Sequence, residues 1–413
     1  MNRHECYRVT RPGSIPALRG YHWPVSARGE FGTRHLEARP RVLLVIKCMG
    51  YGGAERLLVD LMAARDRDAF DYEFAYVLEA ENALVPAIEA SGVTVHCLGA
   101  RHNGDLRWTL RLRRLLVEGH FDIVHFHLPY AAALGRLVAR SLPRGERPVL
   151  MYTEHSLWHK TVTPVRILNR ATIGLDRALV AVSPAAHDAL PTSLRAHATV
   201  VIHGVDFTKS EALLSREDDI RAEVRAELGV DAQEILVLAV ANLRAEKGYD
   251  VLLQTARILA DQGLPIRIAA VGRGPLQAEL SERHGALGLG DRFTFLGQRD
   301  DVLRLMTGAD VFVLASHHEG LPVALMEAMS VGLPVVATAV GGVPQFVADS
   351  EEGLLVAPGR PDLLADALVR ICSDPELRRR LGEAAKRKST VFDVRSASAK
   401  IEEIYRQLVE AST

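Results

Sequence analysis

The chain is poor in the features that mark a stapled, membrane-spanning or nucleic-acid-binding protein. Its 413 residues hold four cysteines, Cys6, Cys48, Cys97 and Cys372. They lie too far apart to offer a CxxC redox pair or a zinc ligand set from neighbours, which fits a chain kept reduced in the cytoplasm. No apolar run approaches the roughly eighteen residues of a membrane-spanning helix; the longest are short segments such as Ile235–Ala241. The formal net charge is -1, with 50 Lys and Arg against 51 Asp and Glu, so no positive excess calls for nucleic acid as a partner. Two nucleotide fingerprints are also missing. There is no GxxxxGK[ST] loop, and the glycine pairs Gly50-Tyr-Gly52 and Gly272-Arg-Gly274 carry Glu55 and Gln277 where GxGxxG needs its third glycine.

What is present is an alternation. With 48% hydrophobic and 24% charged residues, the length suits two globular domains. The first forty residues, with seven arginines, three glutamates and no apolar core for a secretory signal, set 1–39 apart as a poorly ordered basic tail. From Arg41 the sequence runs apolar strand, glycine loop, helix. Strands are expected near Tyr72–Leu78, Val93–Cys97, Asp122–Phe126, Val149–Thr153, Ala178–Val182 and Ala198–Ile202. A charged stretch from Ser210 to Gly229 precedes a second series, with strands at Ile235–Ala241, Ile266–Val271, Phe293–Leu296, Val311–Leu314 and Val335–Thr338. Continuous apolar strands alternating with helices imply an α/β chain of two doubly wound, Rossmann-like parallel sheets. The expected divisions are 40–208, 209–393 and a final helix 394–413, whose stripe Ile401, Ile404, Tyr405, Leu408 must pack on a domain already built. Ligands of such sheets bind beyond the strand carboxyl ends, so two facing sheets make a cleft.

Several residues fall at that cleft. Gly52 and Gly53 end the first strand ahead of a helix, where free N–H groups suit an anion. Asn242, Arg244 and Lys247 follow the first strand of the second series, where paired cations would meet a diphosphate. His127 stands two residues after His125 on one face of a strand end; with no further ligand at matching spacing, a satisfied internal hydrogen bond or hydrogen bonding to a polar ligand fits better than zinc. Glu327 is the only charged side chain between Gly320 and Ala348, and a buried carboxylate needs hydrogen-bond donors or must be neutral. Glu319 sits in the turn before it, with Gly320, Leu321 and Pro322 starting a helix that separates the two carboxylates by roughly 8 Å. They are spaced to hold opposite ends of one hydroxyl-rich ligand. A basic stretch, 101–116, with Trp108 and several leucines, has the composition of an interfacial helix.

The stretch Ser316–Gly342, SHHEGLPVALMEAMSVGLPVVATAVGG, resembles the EGLPxxxxEAM(S/A)xGxPVVAT signature of retaining glycosyltransferase family 4, with the GT-B fold. Gly52-Gly-Ala-Glu55, Asp122-Ile-Val-His-Phe-His127, His203-Gly-Val-Asp206, Lys247-Gly248, Gly272-Arg-Gly-Pro275 and Ala309-Asp-Val-Phe-Val313 follow in the family's order. The resemblance runs from Arg41 to the C-terminus. It implies transfer of a sugar from a nucleoside diphosphate sugar, UDP- or GDP-linked, to a glycan, lipid-linked or small-molecule acceptor, with retained anomeric configuration and neither metal nor cofactor. By the same resemblance Glu327 binds the ribose, Glu319 the sugar hydroxyls and Lys247 the diphosphate. His127 lies by the reaction centre, the Gly52-Gly53 loop approaches the diphosphate, and Glu154 and His155 lie on the acceptor side. Many members carry Arg where this chain has Asn242, a role Arg244 takes over here. The final helix is implied to cross back to the first domain. Apart from the resemblance, the protein is expected in the cytoplasm, and 101–116 is open to two readings, an ordinary surface helix, which is favoured, and peripheral contact with the inner membrane face. Residues alone leave open an epimerase or phosphorylase on the same fold, or a silent nucleotide-sugar binder.

Overall fold

The computed structural model describes residues 39–412, so the tail 1–38 lies outside the described residues. The first sheet contains β1 (Arg41–Ile46), β2 (Asp71–Leu78), β3 (Thr94–Ala100), β4 (Ile123–His127), β5 (Val149–Glu154), β6 (Ala178–Ala181) and β7 (Ala198–Val200). They are all parallel, in the order β3-β2-β1-β4-β5-β6-β7. The second contains β8 (Ile235–Val240), β9 (Ile266–Val271), β10 (Phe293–Gly297), β11 (Val311–Leu314), β12 (Val335–Thr338) and β13 (Gly353–Val356), parallel in the order β10-β9-β8-β11-β12-β13. The sequence reading missed β13. Four residues behind the acidic pair Glu351-Glu352 are too few to declare a period, and the strand exists because β12 offers it an edge.

The apolar runs are explained by two-sided burial. Val42, Leu44 and Ile46 of β1 pack with Leu58, Leu61 and Met62 of the Gly53–Ala64 helix. Leu43 and Val45 point the other way, toward Trp108, Leu112 and Leu116 of the Arg107–Gly119 helix. Trp108 is therefore a core residue, fully buried, and not the interfacial anchor its basic surroundings suggested. Its spacing with Leu112 and Leu116, one helical turn each, is that of a face turned inward.

The chain passes between the sheets twice, side by side. Val205 pairs with Asp393 in an isolated parallel bridge, its N–H donating to the Phe392 carbonyl at 2.8 Å. Beyond this crossing the final helix, Val394–Glu410, lies on the first sheet's side, with Ala397, Ile401 and Tyr405 buried beside Phe70 and Met62. Glu402 accepts hydrogen bonds from the Asp66 N–H and the Tyr72 hydroxyl. No helix among the described residues is long and apolar enough to cross a membrane.

Candidate active site

In each sheet the strand order reverses at one place, between β1 and β4 and between β8 and β11. Such a switch point opens a crevice at the strand carboxyl ends. The carboxyl ends of these four strands, with the loops and helix starts that follow them, carry Gly52 and Gly53, His127, Asn242 to Lys247, and Glu319 to Pro322. Contacts across the seam join them. Asn242 Nδ2 donates to the Tyr51 carbonyl at 3.0 Å, and Ser183 Oγ donates to the Gly320 carbonyl at 3.1 Å. Leu321 packs on Ala181, Val182 and Ala186. Gly53 lies against Val323, which a Cβ at position 53 would meet at 3.4 Å.

Lys247 and Glu319 meet within the second sheet's crevice. Lys247 Nζ donates to Glu319 Oε1 at 2.7 Å, and Ser316 Oγ donates to the same oxygen at 2.6 Å. Two glycines let the loops come this close. Gly248 has φ +65° and approaches the Ala315 carbonyl so nearly that a Cβ would lie 2.0 Å from it. Gly341, at φ +50°, stands against the Glu319 carbonyl in the same way. Both conformations are strained for any other residue. Pro322 caps the Val323–Ser330 helix from outside rather than forming its first turn.

Glu327, on that helix, is buried. Its nearest cation is Arg56 of the first domain, Nε to Oε1 at 3.8 Å, beyond hydrogen-bond range. Burial pushes its carboxyl up to about 7, with Arg56 and Lys209 opposing and Asp60 adding to the rise. Asp60 is itself buried between Arg56 at 3.6 Å and Lys209 at 2.8 Å. Arg56, Asp60, Lys209 and Ser183 were not singled out in the sequence. Arg56 directly follows the Gly52-Gly-Ala-Glu55 motif and Asp60 lies one turn on, which was the available signal for that pair. Arg244 is exposed, and its charge is felt by the buried Glu55.

The β4 and β5 ends bring histidines together. His125 is held at both nitrogens, by the Tyr405 hydroxyl at 2.6 Å and Thr153 Oγ1 at 2.7 Å, and its ring lies 4.0 Å from that of His127. His127 Nδ1 is 2.9 Å from His155 Nε2. Burial holds all three imidazoles well below their usual range, with neighbouring histidines adding to the effect. They are neutral. Glu154 is fully buried. Its carboxylate accepts from the Tyr152 hydroxyl, the Ser156 N–H and Ser156 Oγ, which fixes the loop after β5. Among the described residues no group of three or more His, Cys, Asp or Glu is arranged to hold a metal ion.

Two family profiles match the chain, "Glycosyltransferase Family 4" over residues 51–209 and "Glycosyl transferases group 1" over 220–388. A D-inositol 3-phosphate glycosyltransferase of Saccharomonospora viridis is 30% identical over 331 residues, 73% of this chain and 74% of the relative. Alpha-D-kanosaminyltransferase of Streptomyces kanamyceticus is 28% identical over 325 residues, 75% and 84% of the two chains. Among solved structures, Anabaena HepE in complex with UDP and glucose superposes with a TM-score of 0.76 at 23% identity, covering 88% of this chain and 99% of HepE. The two facing sheets, the switch-point loops and these matches lead to one assignment: the chain belongs to glycosyltransferase family 4 and has the GT-B fold.

Proposed function

We propose that the protein moves a sugar from a nucleoside diphosphate sugar to a hydroxyl acceptor with retention of anomeric configuration. The observation that carries the reading is Glu327, a buried carboxylate with no donor inside hydrogen-bond range and a carboxyl pushed up to about 7. A ribose diol supplies the two donors it lacks. In this reading the diphosphate lies between the Gly52-Gly53 loop and Lys247, with Arg244 reaching in from the rim. Glu319 receives the sugar hydroxyls once Lys247 turns to the phosphate. The C1–O bond to the phosphate breaks, an acceptor oxygen bonds C1 on the same face, and the acceptor proton passes to the departing phosphate oxygen. Lys247 and helix-start N–H groups stabilise the charge that develops there. HepE was crystallised with UDP-glucose as well as UDP, which supports UDP as the first nucleotide to try.

The acceptor is a glycan, a lipid-linked sugar or a small polyol, met on the first domain's side beside the loop that Glu154 holds. Contact with a membrane belongs to the same reading, on a different basis from Trp108. Leu106, Leu110, Leu137, Val162 and Ile167 are exposed on or beside three successive helices over one face of the first sheet, with Arg113, Arg140 and Arg170 among them.

A thermal-shift screen of UDP-, GDP- and ADP-sugars tests the donor, since a ligand bound only by the folded state raises the melting temperature. NMR of the product's anomeric proton tests retention. No stabilisation by any nucleotide or nucleotide sugar would overturn the proposal.

A further inference from the structure

Arg56 stands at the seam between the two domains with an unfinished set of partners. It lies on the Gly53–Ala64 helix, one turn ahead of Asp60. Its Nε is buried and, among the described residues, has no hydrogen-bond partner. Two carboxylate oxygens come near without bonding it: Asp60 Oδ2 at 3.6 Å on its own helix, and Glu327 Oε1 at 3.8 Å on the facing Val323–Ser330 helix. Both carboxylates are buried. The other Asp60 oxygen accepts from Lys209 Nζ at 2.8 Å. Asp60 therefore has a full partner already, whereas the cation nearest to Glu327 is Arg56, just outside bonding range.

Two opposing effects meet at Glu327. Burial and the charge of Asp60 favour its protonated form, while Arg56 and Lys209 favour the carboxylate. A diol donates both of its hydroxyls best to an ionised carboxylate, which accepts at either oxygen. We propose that Arg56 is a positioning residue of the ribose site: anchored beside Asp60 on the first domain, it holds Glu327 of the second as an oriented carboxylate. This rests on reading Glu327 as the ribose ligand. Arg56 acts through that side chain, so a ribose is gripped fully only where the first domain's helix is docked on the second.

The test is calorimetric affinity as a function of pH for UDP against dideoxy-UDP, and GDP against dideoxy-GDP, in the wild type, Arg56→Met and Arg56→Lys. The dideoxy forms lack both ribose hydroxyls, so the ratio within the tighter-binding pair is the diol's share, and titration of the diphosphate cancels from it. In the wild type that share should rise with pH through about 7 and level off above, as Glu327 ionises. Arg56→Met should reach its plateau at higher pH. Where Glu327 holds its proton tenfold more tightly, the share at pH 7 falls roughly fivefold, with the dideoxy affinity unchanged. Arg56→Lys, which keeps the charge, should recover part of the loss. Identical pH profiles in the wild type and Arg56→Met, an equal loss for the ribose and dideoxy forms, or no recovery in Arg56→Lys overturns the proposal and leaves the nucleotide reading intact. If Arg56→Met has lost its melting transition, the same comparison on Arg56→Gln decides, since Gln keeps a polar side chain beside Asp60 without the charge. A wild type that binds both forms alike removes Glu327 from the ribose and this proposal with it. A wild type that binds no nucleotide at all sinks the functional reading as well.

Discussion

Lys247 and Glu319 are bonded to each other at 2.7 Å. The cation and the carboxylate thus hold one another in the crevice where each is proposed to meet a different part of the donor. Donor binding in the proposed mode would exchange one partner for another without leaving either charge bare.

Replacing Lys247 with Ala should therefore act twice, removing the phosphate's counter-charge and leaving Glu319 with Ser316 alone. Turnover is expected to fall about a hundredfold or more, with a smaller loss of nucleotide affinity. Steady-state kinetics with the donor found by thermal shift give both numbers. Turnover within a few-fold of wild type would remove Lys247 from the reaction.

Glu327→Gln separates burial from ligand binding through pH. The folded-state value, about 7, lies above the ordinary 4.5, so the native protein holds this proton more tightly than the unfolded chain. Its contribution to stability is complete below about 4.5 and is lost as pH rises through 7. Relative to wild type, the Gln variant should gain stability between pH 5 and 8 by up to about 3 kcal/mol, measured by urea unfolding, while binding nucleotide more weakly. A pH-independent difference would show that Glu327 does not titrate in this range.

Gly248→Ala tests the loop closure that brings Lys247 to Glu319. With φ at +65° and the Ala315 carbonyl 2.0 Å from the added methyl, the backbone has to shift. A loss of at least about 2 kcal/mol is expected, together with most of the activity. Wild-type melting and turnover would contradict the geometry.

Transfer should continue in EDTA, since Lys247, Arg244 and backbone N–H groups are proposed to meet the diphosphate charge. Activity abolished by EDTA and restored by magnesium or manganese would assign that role to an ion instead.

Leu110→Asp combined with Leu137→Asp addresses the apolar face on the first domain. Sedimentation with vesicles containing phosphatidylglycerol should be lost, and turnover of a soluble acceptor kept. Sedimentation equal to wild type would discard this face as a membrane contact.

Much of the architecture could be read from the sequence because strands buried on both sides are apolar throughout, as in Val42–Ile46 and Leu236–Ala239. Glu327 was conspicuous for the complementary reason, a charge where its neighbours have none. Trp108 misled because a basic segment hides its inward stripe until the helix phase is known. Arg56 and Lys209 were silent, since single cations on helices are ordinary, and only the docking of the two domains brings Arg56 near Glu327. His155 was visible as a residue, but its bond to His127 joins two different strand ends. Only the pairing of β4 with β5, His127 beside Thr153, puts them in reach.

The paired crossing at Val205 and Asp393 sets an order for synthesis. The first sheet leaves the ribosome complete at β7, yet Tyr405, which seats His125, arrives only after residues 206–393 have been made. Until then the hydroxyl that anchors the histidine row is missing and the bed of the last helix lies open to water. The first half of the protein therefore waits for the last helix before its own end of the cleft is finished, and a ribosome that stops short of Val394 leaves a second domain that is whole beside a first that is not.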